Sequence, residues 1–197
     1  IAQRIWVTSL IPPRYPVQGA EAICFREESR LSSFWSSQFW ANPASIHTFG
    51  HQTNELLQSA REQIAAILKT SSEKVYFTSG GTESNNLAIF GLAQKYKQRG
   101  KHVLISEIEH HSIIEAAKKL NELGFEVEWI PVDSEGIILL ESVKKSIRND
   151  TVLVSVMHVN NETGAIQPIE ELSNIVRKKS RALIHMDAVQ SFGKIPV

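Results

Sequence analysis

Ser79-Gly80-Gly81-Thr82-Glu83-Ser84 separates the apolar run Val75-Tyr76-Phe77 from Asn85-Asn86-Leu87-Ala88-Ile89-Phe90, whose apolar residues have helical spacing. The pattern reads as strand, tight turn and helix. The glycines let the backbone approach a bound group closely, and Thr82 and Ser84 fall where the first helical N–H groups have no intrahelical acceptor. Such a turn suits an anion, phosphate above all. An ordinary strand-to-helix turn with a hydroxyl cap accounts for the same residues equally well. The spacing is neither G-x-G-x-x-G nor G-x-x-x-x-G-K-[ST], so the usual dinucleotide and nucleoside-triphosphate fingerprints are absent. Three further groups, Glu109-His110-His111, Asn160-Asn161-Glu162 and Asp187-Ala188-Val189-Gln190, also follow apolar runs.

The elements that must position these groups alternate along the chain. An amphipathic helix is predicted over 53–69, with Leu56, Leu57, Ala60, Ile64, Ile67 and Leu68 as its buried stripe. Beyond the glycine turn, a helix continues to Tyr96 and ends at Gly100. Strand 102–106 follows. Ser112-Ile113-Ile114-Glu115 has the form of a capping box, opening a helix that Gly124 stops. Strand 125–130, a turn at 131–136, a short helix at 140–147 and strand 152–157 come next. Pro168 starts a helix carrying Ile169, Leu172, Ile175 and Val176, and 182–186 is the last strand. This alternation predicts an α/β domain with a mostly parallel sheet. Ligands in such folds bind beyond the carboxyl ends of the strands, so the four polar groups should converge on one rim.

Residues 1–33 carry less information. Ile11-Pro12-Pro13-Arg14-Tyr15-Pro16 blocks regular helix, and the stretch from Ala20 to Leu31 is only weakly periodic. No function attaches to this segment. Trp6, Trp35 and Trp40 crowd into the first forty residues, which calls for burial or a partner. Lys plus Arg and Asp plus Glu each number 21 in the 197 residues, so no charge excess favours nucleic acid or an anionic membrane surface. No apolar stretch is long enough for a membrane helix, and the start lacks the form of a leader peptide. A soluble, cytoplasmic protein is expected. Cys24 is the only cysteine, which excludes an internal disulfide and cysteine-clustered metal sites. The chain opens on Ile1, which is not expected to be a native translation start.

Taken together, Thr78-Ser79-Gly80-Gly81-Thr82-Glu83-Ser84-Asn85-Asn86, Glu109-His110-His111-Ser112, Met157-His158-Val159-Asn160-Asn161-Glu162-Thr163-Gly164 and His185-Met186-Asp187-Ala188-Val189-Gln190 resemble the signature blocks of pyridoxal-phosphate-dependent cysteine desulfurases, in the class V aminotransferase family. The resemblance runs in order from about Phe34 to Val197. It implies the large domain of the fold type I architecture, with helices on both faces of its sheet and residues 34–197 forming a truncated cofactor-binding domain. By resemblance, Gly81 and Thr82 hold the cofactor phosphate, Asp187 accepts the pyridinium N–H, and Gln190 reaches the phenolic oxygen. Asn161 reaches that oxygen or the substrate carboxylate. His110 stacks on the ring and exchanges protons, the catalytic role. His111, His158 and His185 are expected to be structural, and His47 has no assigned role.

The implied activity removes sulfur from L-cysteine, leaving alanine and an enzyme persulfide for iron–sulfur cluster assembly or another acceptor protein. A homodimer is implied as well. The family's cofactor-linking lysine follows a Ser-x-His-Lys motif that does not occur in these residues, and Lys194 and Cys24 do not match the family's lysine and persulfide cysteine. The chain is therefore expected to be an incomplete gene product, inactive alone, with a divergent start. Another class V enzyme, such as an aminotransferase or selenocysteine lyase, and a non-catalytic remnant or assembly partner are the alternatives. The family sheet order, 3-2-4-5-6-7-1, carries a topological expectation. The Val75–Thr78 strand should stand roughly 14 Å from the 182–186 strand, three spacings of about 4.8 Å. With the two intervening family strands lying beyond Val197, it should lack ladder partners.

Overall fold

A computed structural model describes residues 5–11, 21–27 and 41–196. The strands are β1 (Ile5–Ile11), β2 (Glu21–Glu27), β3 (Val75–Thr78), β4 (His102–Ser106), β5 (Glu126–Ile130), β6 (Thr151–Met157) and β7 (Leu183–Asp187). The helices are α1 (Thr48–Ile67), α2 (Gly81–Tyr96), α3 (His111–Glu122), α4 (Leu140–Ser146) and α5 (Ile169–Lys179). The strands form one seven-stranded sheet in the order β3-β1-β2-β7-β6-β4-β5. β2, β7, β6, β4 and β5 pair in parallel, and β1 alone runs against its neighbours β2 and β3. The mostly parallel α/β architecture is the one expected.

Side-chain alternation divides the core between the two faces. Val103, Ile105 and Leu153 pack with Ile89 and Ala93 of α2 and with Ile113, Ala117 and Leu120 of α3. Leu104, Val154, Val156 and Ile184 point the other way, onto Val143 of α4 and Leu172 and Val176 of α5. Strands covered on both faces have no polar side to show, so β4, β6 and β7 are buried along their whole length. Each fully buried Leu or Ile contributes about 1.5–3 kcal/mol, which fixes the strand ends that carry the polar groups.

Two expectations are corrected at the sheet's other end. Residues 5–11 and 21–27, left without an assigned fold by the sequence, are strands within the sheet. β3 is also not unpartnered: Trp6 registers with Thr78, Val7 with Phe77, Thr8 with Tyr76 and Ser9 with Val75. β2 continues the ladder onto β7, with Cys24 opposite Asp187. The expected two-strand gap between β3 and the last strand is therefore present, and an amino-terminal antiparallel pair fills it. The physical reason is backbone accounting, since open amide and carbonyl rows on β3 and β7 are costly until something pairs with them. Pro12, Pro13, Trp35 and Trp40 lie outside the described residues.

Helix starts also differ from the sequence pattern. α1 begins before the predicted residue 53 because the His47 Nδ1 accepts the Gly50 N–H at 3.2 Å and caps it. In its stripe, Leu56, Leu57, Ala60 and Ile64 are half-buried and Leu68 is buried, whereas Ile67 is exposed and Ala65 is buried instead. α3 is capped by His110 rather than by the predicted Ser112 capping box. Its other end follows expectation, with Gly124 at a φ of 81° just past the helix.

Candidate functional site

The four strand exits form one rim. β3 leads into the glycine turn, and Thr78 Oγ1 fastens that turn through Ser84 Oγ at 2.6 Å and the Gly80 carbonyl at 3.2 Å. The Glu83 carboxylate reaches back to accept the Ser79 N–H at 2.6 Å and the Ser79 hydroxyl, which holds its pKa below the usual carboxylate range. Ser84 N–H donates to the Gly80 carbonyl as the first bond of α2. The N–H groups of Gly81, Thr82 and Glu83 thus face the rim without an intrahelical acceptor, at the positive end of the helix.

β7 ends on Asp187, which is 2% exposed, so its carboxylate is fixed by what it accepts. Oδ1 takes the Val189 N–H at 2.9 Å and Oδ2 takes the Asn85 side-chain amide at 3.0 Å. Burial raises the Asp187 pKa, opposed by those two hydrogen bonds and by the nearby His110. No Lys or Arg contributes to its surroundings among the described residues.

The exit of β4 brings in His110. Its Nδ1 accepts the Ser112 N–H at 3.2 Å and lies 2.9 Å from Ser112 Oγ. That hydroxyl in turn accepts from Asn85 at 3.0 Å. A continuous path therefore runs from Asp187 through Asn85 and Ser112 to His110. With Nδ1 accepting, the neutral imidazole carries its proton on Nε2, the nitrogen not engaged by Ser112. The exit of β6 is shaped by Asn160, whose Oδ1 accepts the Glu162 and Thr163 N–H groups at 3.0 and 2.9 Å and whose Nδ2 donates to the Ile108 carbonyl at 3.0 Å. Asn160 therefore holds the loop, and its neighbour Asn161 lines the pocket.

All the candidate residues, Gly81, Thr82, His110, Asn161, Asp187 and Gln190, line one cavity of about 480 Å³. Asn85, Ser112 and the buried Glu109 were not among the candidates. A signal for Asn85 existed: Gly81, Ser84, Asn85, Ala88, Ile89 and Leu92 make the buried stripe of α2, so polar residues stand in core positions. His158 and His185 bond to Ser191 and Ser155 at 3.0 and 2.9 Å, and His111 is exposed beside Glu115. A second concavity of about 530 Å³ lies at the opposite ends of the strands, where Arg99, Arg177, Lys178, Lys179 and Arg181 gather. Cations there suit the carboxyl end of α5.

The chemistry of the 480 Å³ cavity is that of a dipolar ligand. One end offers helix N–H groups to an anion, and the other a buried carboxylate that lacks a Lys or Arg counter-charge among the described residues. A planar group with a phosphate at one end and a protonated ring nitrogen at the other meets both demands, and pyridoxal phosphate is such a group. No helix among the described residues is long and apolar enough to cross a membrane.

Comparison with known proteins gives the family. Residues 30–197 match the family described as Aminotransferase class-V. A cysteine desulfurase IscS of Dictyoglomus turgidum is 48% identical over 167 residues, which cover 85% of this chain and 42% of the relative. A solved NifS-like protein superimposes with a TM-score of 0.79 at 40% identity, covering 83% of this chain and 45% of its own. A structure described as SspA in complex with cysteine gives a TM-score of 0.76 at 37% identity, covering 83% of this chain and 47% of its own. The chain thus spans less than half the length of these relatives. The motif blocks all fall within the residues that the family model matches, and the chain belongs to the class-V aminotransferase family.

Proposed function

We propose that this chain forms the cofactor-holding part of a pyridoxal-phosphate-dependent cysteine desulfurase. The observation that carries the reading is the convergence of Gly81, Thr82, His110, Asn161, Asp187 and Gln190 on one cavity, with the buried Asp187 lacking a Lys or Arg partner among the described residues. Bound pyridoxal phosphate supplies an electron sink for the substrate's bonding electrons. Everything else falls to the residues present. The Gly81 and Thr82 N–H groups and the Thr82 hydroxyl bind the phosphate, while Asp187 takes a hydrogen bond from the ring nitrogen and keeps it protonated. Asn85 fixes the orientation of that carboxylate. His110 covers the ring and exchanges protons through Nε2, because Ser112 occupies Nδ1. Gln190 bonds the phenolic oxygen, and Asn161 that oxygen or the substrate carboxylate.

The substrate in this reading is L-cysteine, the ligand named for the SspA structure. Alanine is released, and the outer sulfur of the enzyme persulfide passes to a sulfur-acceptor protein in the cytoplasm. Exposed Ile46, Phe49 and Leu87 support a homodimer that covers apolar surface. The 197-residue chain is proposed to be inactive by itself, because it has neither the Ser-x-His-Lys lysine nor a cysteine matching the family's persulfide residue.

Fluorescence titration with pyridoxal phosphate tests the reading. The chain should bind it saturably, with affinity falling at least tenfold in Asp187→Ala and in Thr82→Ala. Equal binding by chain and variants would overturn it.

A further inference from the structure

Glu109 has no part in the reading above, yet it is 5% exposed and bonds to the backbone of Met157, a residue that lines the cavity. Oε1 accepts two hydrogen bonds, from Ser106 Oγ at 2.6 Å and from the Met157 N–H at 2.6 Å. Oε2 is buried and has no partner among the described residues. Met157 lines the cavity and is the register partner of Asp187 on the adjoining strand, so two buried carboxyl groups sit against the same pair of strand ends. Both cannot carry charge cheaply at that depth, because no Lys or Arg contributes to the surroundings of either among the described residues.

We propose that Glu109 is a neutral carboxylic acid and a positioning residue: it ties the exit of β6 to the exit of β4 and leaves Asp187 as the single buried negative charge of the site. The division of roles follows from what each group accepts and faces. Burial raises Asp187 as well, but Asp187 receives donors on both oxygens and opens onto the cavity, so its charge is the better stabilised of the two. Glu109 receives donors on one oxygen only, the pattern of a carbonyl oxygen, and Oε2 is the oxygen left to carry the proton. Burial and the neighbouring Asp187 both push Glu109 up, to about 8, against the pull of its two donors. Among the described residues, Asp187 of β7 acts on Glu109, and His110 from the start of α3 acts on Asp187. An ionised Glu109 would favour protonation of Asp187 and remove the charge that the ring nitrogen needs.

The inference about Asp187 rests on the pyridoxal phosphate reading, whereas the protonation of Glu109 does not. Infrared difference spectra of the chain without added cofactor, with Glu109→Gln as the reference, test the latter directly. A carboxylic-acid carbonyl band should be present at pH 6, absent in Glu109→Gln, and titrate away toward pH 9. No such band at pH 6 would overturn the proposal. The second arm uses conservative rescue. Gln is the neutral isostere, retaining an acceptor for Ser106 and Met157. Glu109→Gln should therefore bind pyridoxal phosphate within about threefold of the parent chain, whereas Glu109→Leu, which strands both donors, should lose at least tenfold. A Glu109→Gln chain as impaired as Glu109→Leu would show that the charge is needed and overturn the proposal. If the parent chain shows the band but binds no pyridoxal phosphate, the functional reading falls and the neutral Glu109 stands.

Discussion

The Asn85 side-chain amide stands 3.0 Å from the Asp187 carboxylate, across 102 residues of sequence, and also 3.0 Å from the Ser112 hydroxyl. One NH₂ group spends its two protons on two different strand exits. The cavity is thereby built as a unit, since α2 locks the end of β7 to the start of α3.

Removing that amide should act on stability and on the ligand together. Asn85→Ala leaves a buried carboxylate oxygen short of a donor, at a cost of about 1–3 kcal/mol. It also removes a hydrogen bond that lowers the Asp187 pKa, so the charge offered to a ring nitrogen weakens. Urea denaturation should show the loss of stability, and pyridoxal phosphate titration should show weaker binding. A variant unchanged in both would detach Asn85 from the site.

The parts of this architecture that could be read from the sequence are those that local pattern determines. β4, β6 and β7 are unbroken apolar runs because helices cover both faces, and ligand groups follow strand exits by topology alone. Asn85 and Glu109 could not be read in the same way. Their roles depend on partners 27 to 102 residues distant for Asn85 and 48 for the Met157 amide that Glu109 accepts. β1 and β2 escaped for a related reason. Glu21, Arg26 and Glu27 interrupt the apolar period of β2, and both segments are strands because β3 and β7 present unpaired edges to them. His47 and His110 were hidden as caps because histidine is not among the residues that usually signal a helix start.

Two buried groups should give the pH–stability profile opposite slopes. Burial pushes His185 down to about 4, so its contribution is full above its unfolded value of 6.5 and is lost as pH falls through 4. Glu109 is raised from 4.5 to about 8, so its contribution is full below 4.5 and is lost as pH rises through 8. At 1.36 kcal/mol per unit, the effect is on the order of 3 kcal/mol for His185 and 5 kcal/mol for Glu109. Between pH 6.5 and 8 only Glu109 titrates of the two. Stability of the parent chain against denaturation should fall across that window, and Glu109→Gln should flatten the decline. An unchanged slope in Glu109→Gln would remove Glu109 as its source.

Lys194 sits exposed in the turn after β7, with its N–H donating to the Ser191 carbonyl, and it does not line the cavity. Borohydride reduction of the chain with one equivalent of pyridoxal phosphate should leave Lys194 unmodified in a peptide map. Sulfide release from cysteine should equal that of free cofactor, and Cys24→Ser should not change it. Stoichiometric labelling of Lys194, or sulfide release lost in Cys24→Ser, would give those residues the roles denied to them here.

The amino-terminal pair makes the sharpest structural prediction. β3 closes one end of the sheet, paired on one side with β1 through the Trp6–Thr78 to Ser9–Val75 register. In such a strand, alternate N–H groups point to the partner and the others away. Hydrogen exchange should therefore be slow at alternate amides of Val75–Thr78 and fast between them. Thr8→Pro removes an N–H from the middle of β1, which is flanked by Tyr76 of β3 and Cys24 of β2, and proline within a paired strand breaks the ladder. Protection at Val75–Thr78 should then collapse. The β4 and β6 amides, buried between the helical layers, should stay protected and report that the rest of the sheet is intact. Deleting residues 1–33 should go further, leaving open rows on β3 and β7 and driving self-association in sedimentation. Uniformly fast exchange at Val75–Thr78 in the parent chain, or protection there that survives Thr8→Pro, would contradict the β1–β3 ladder.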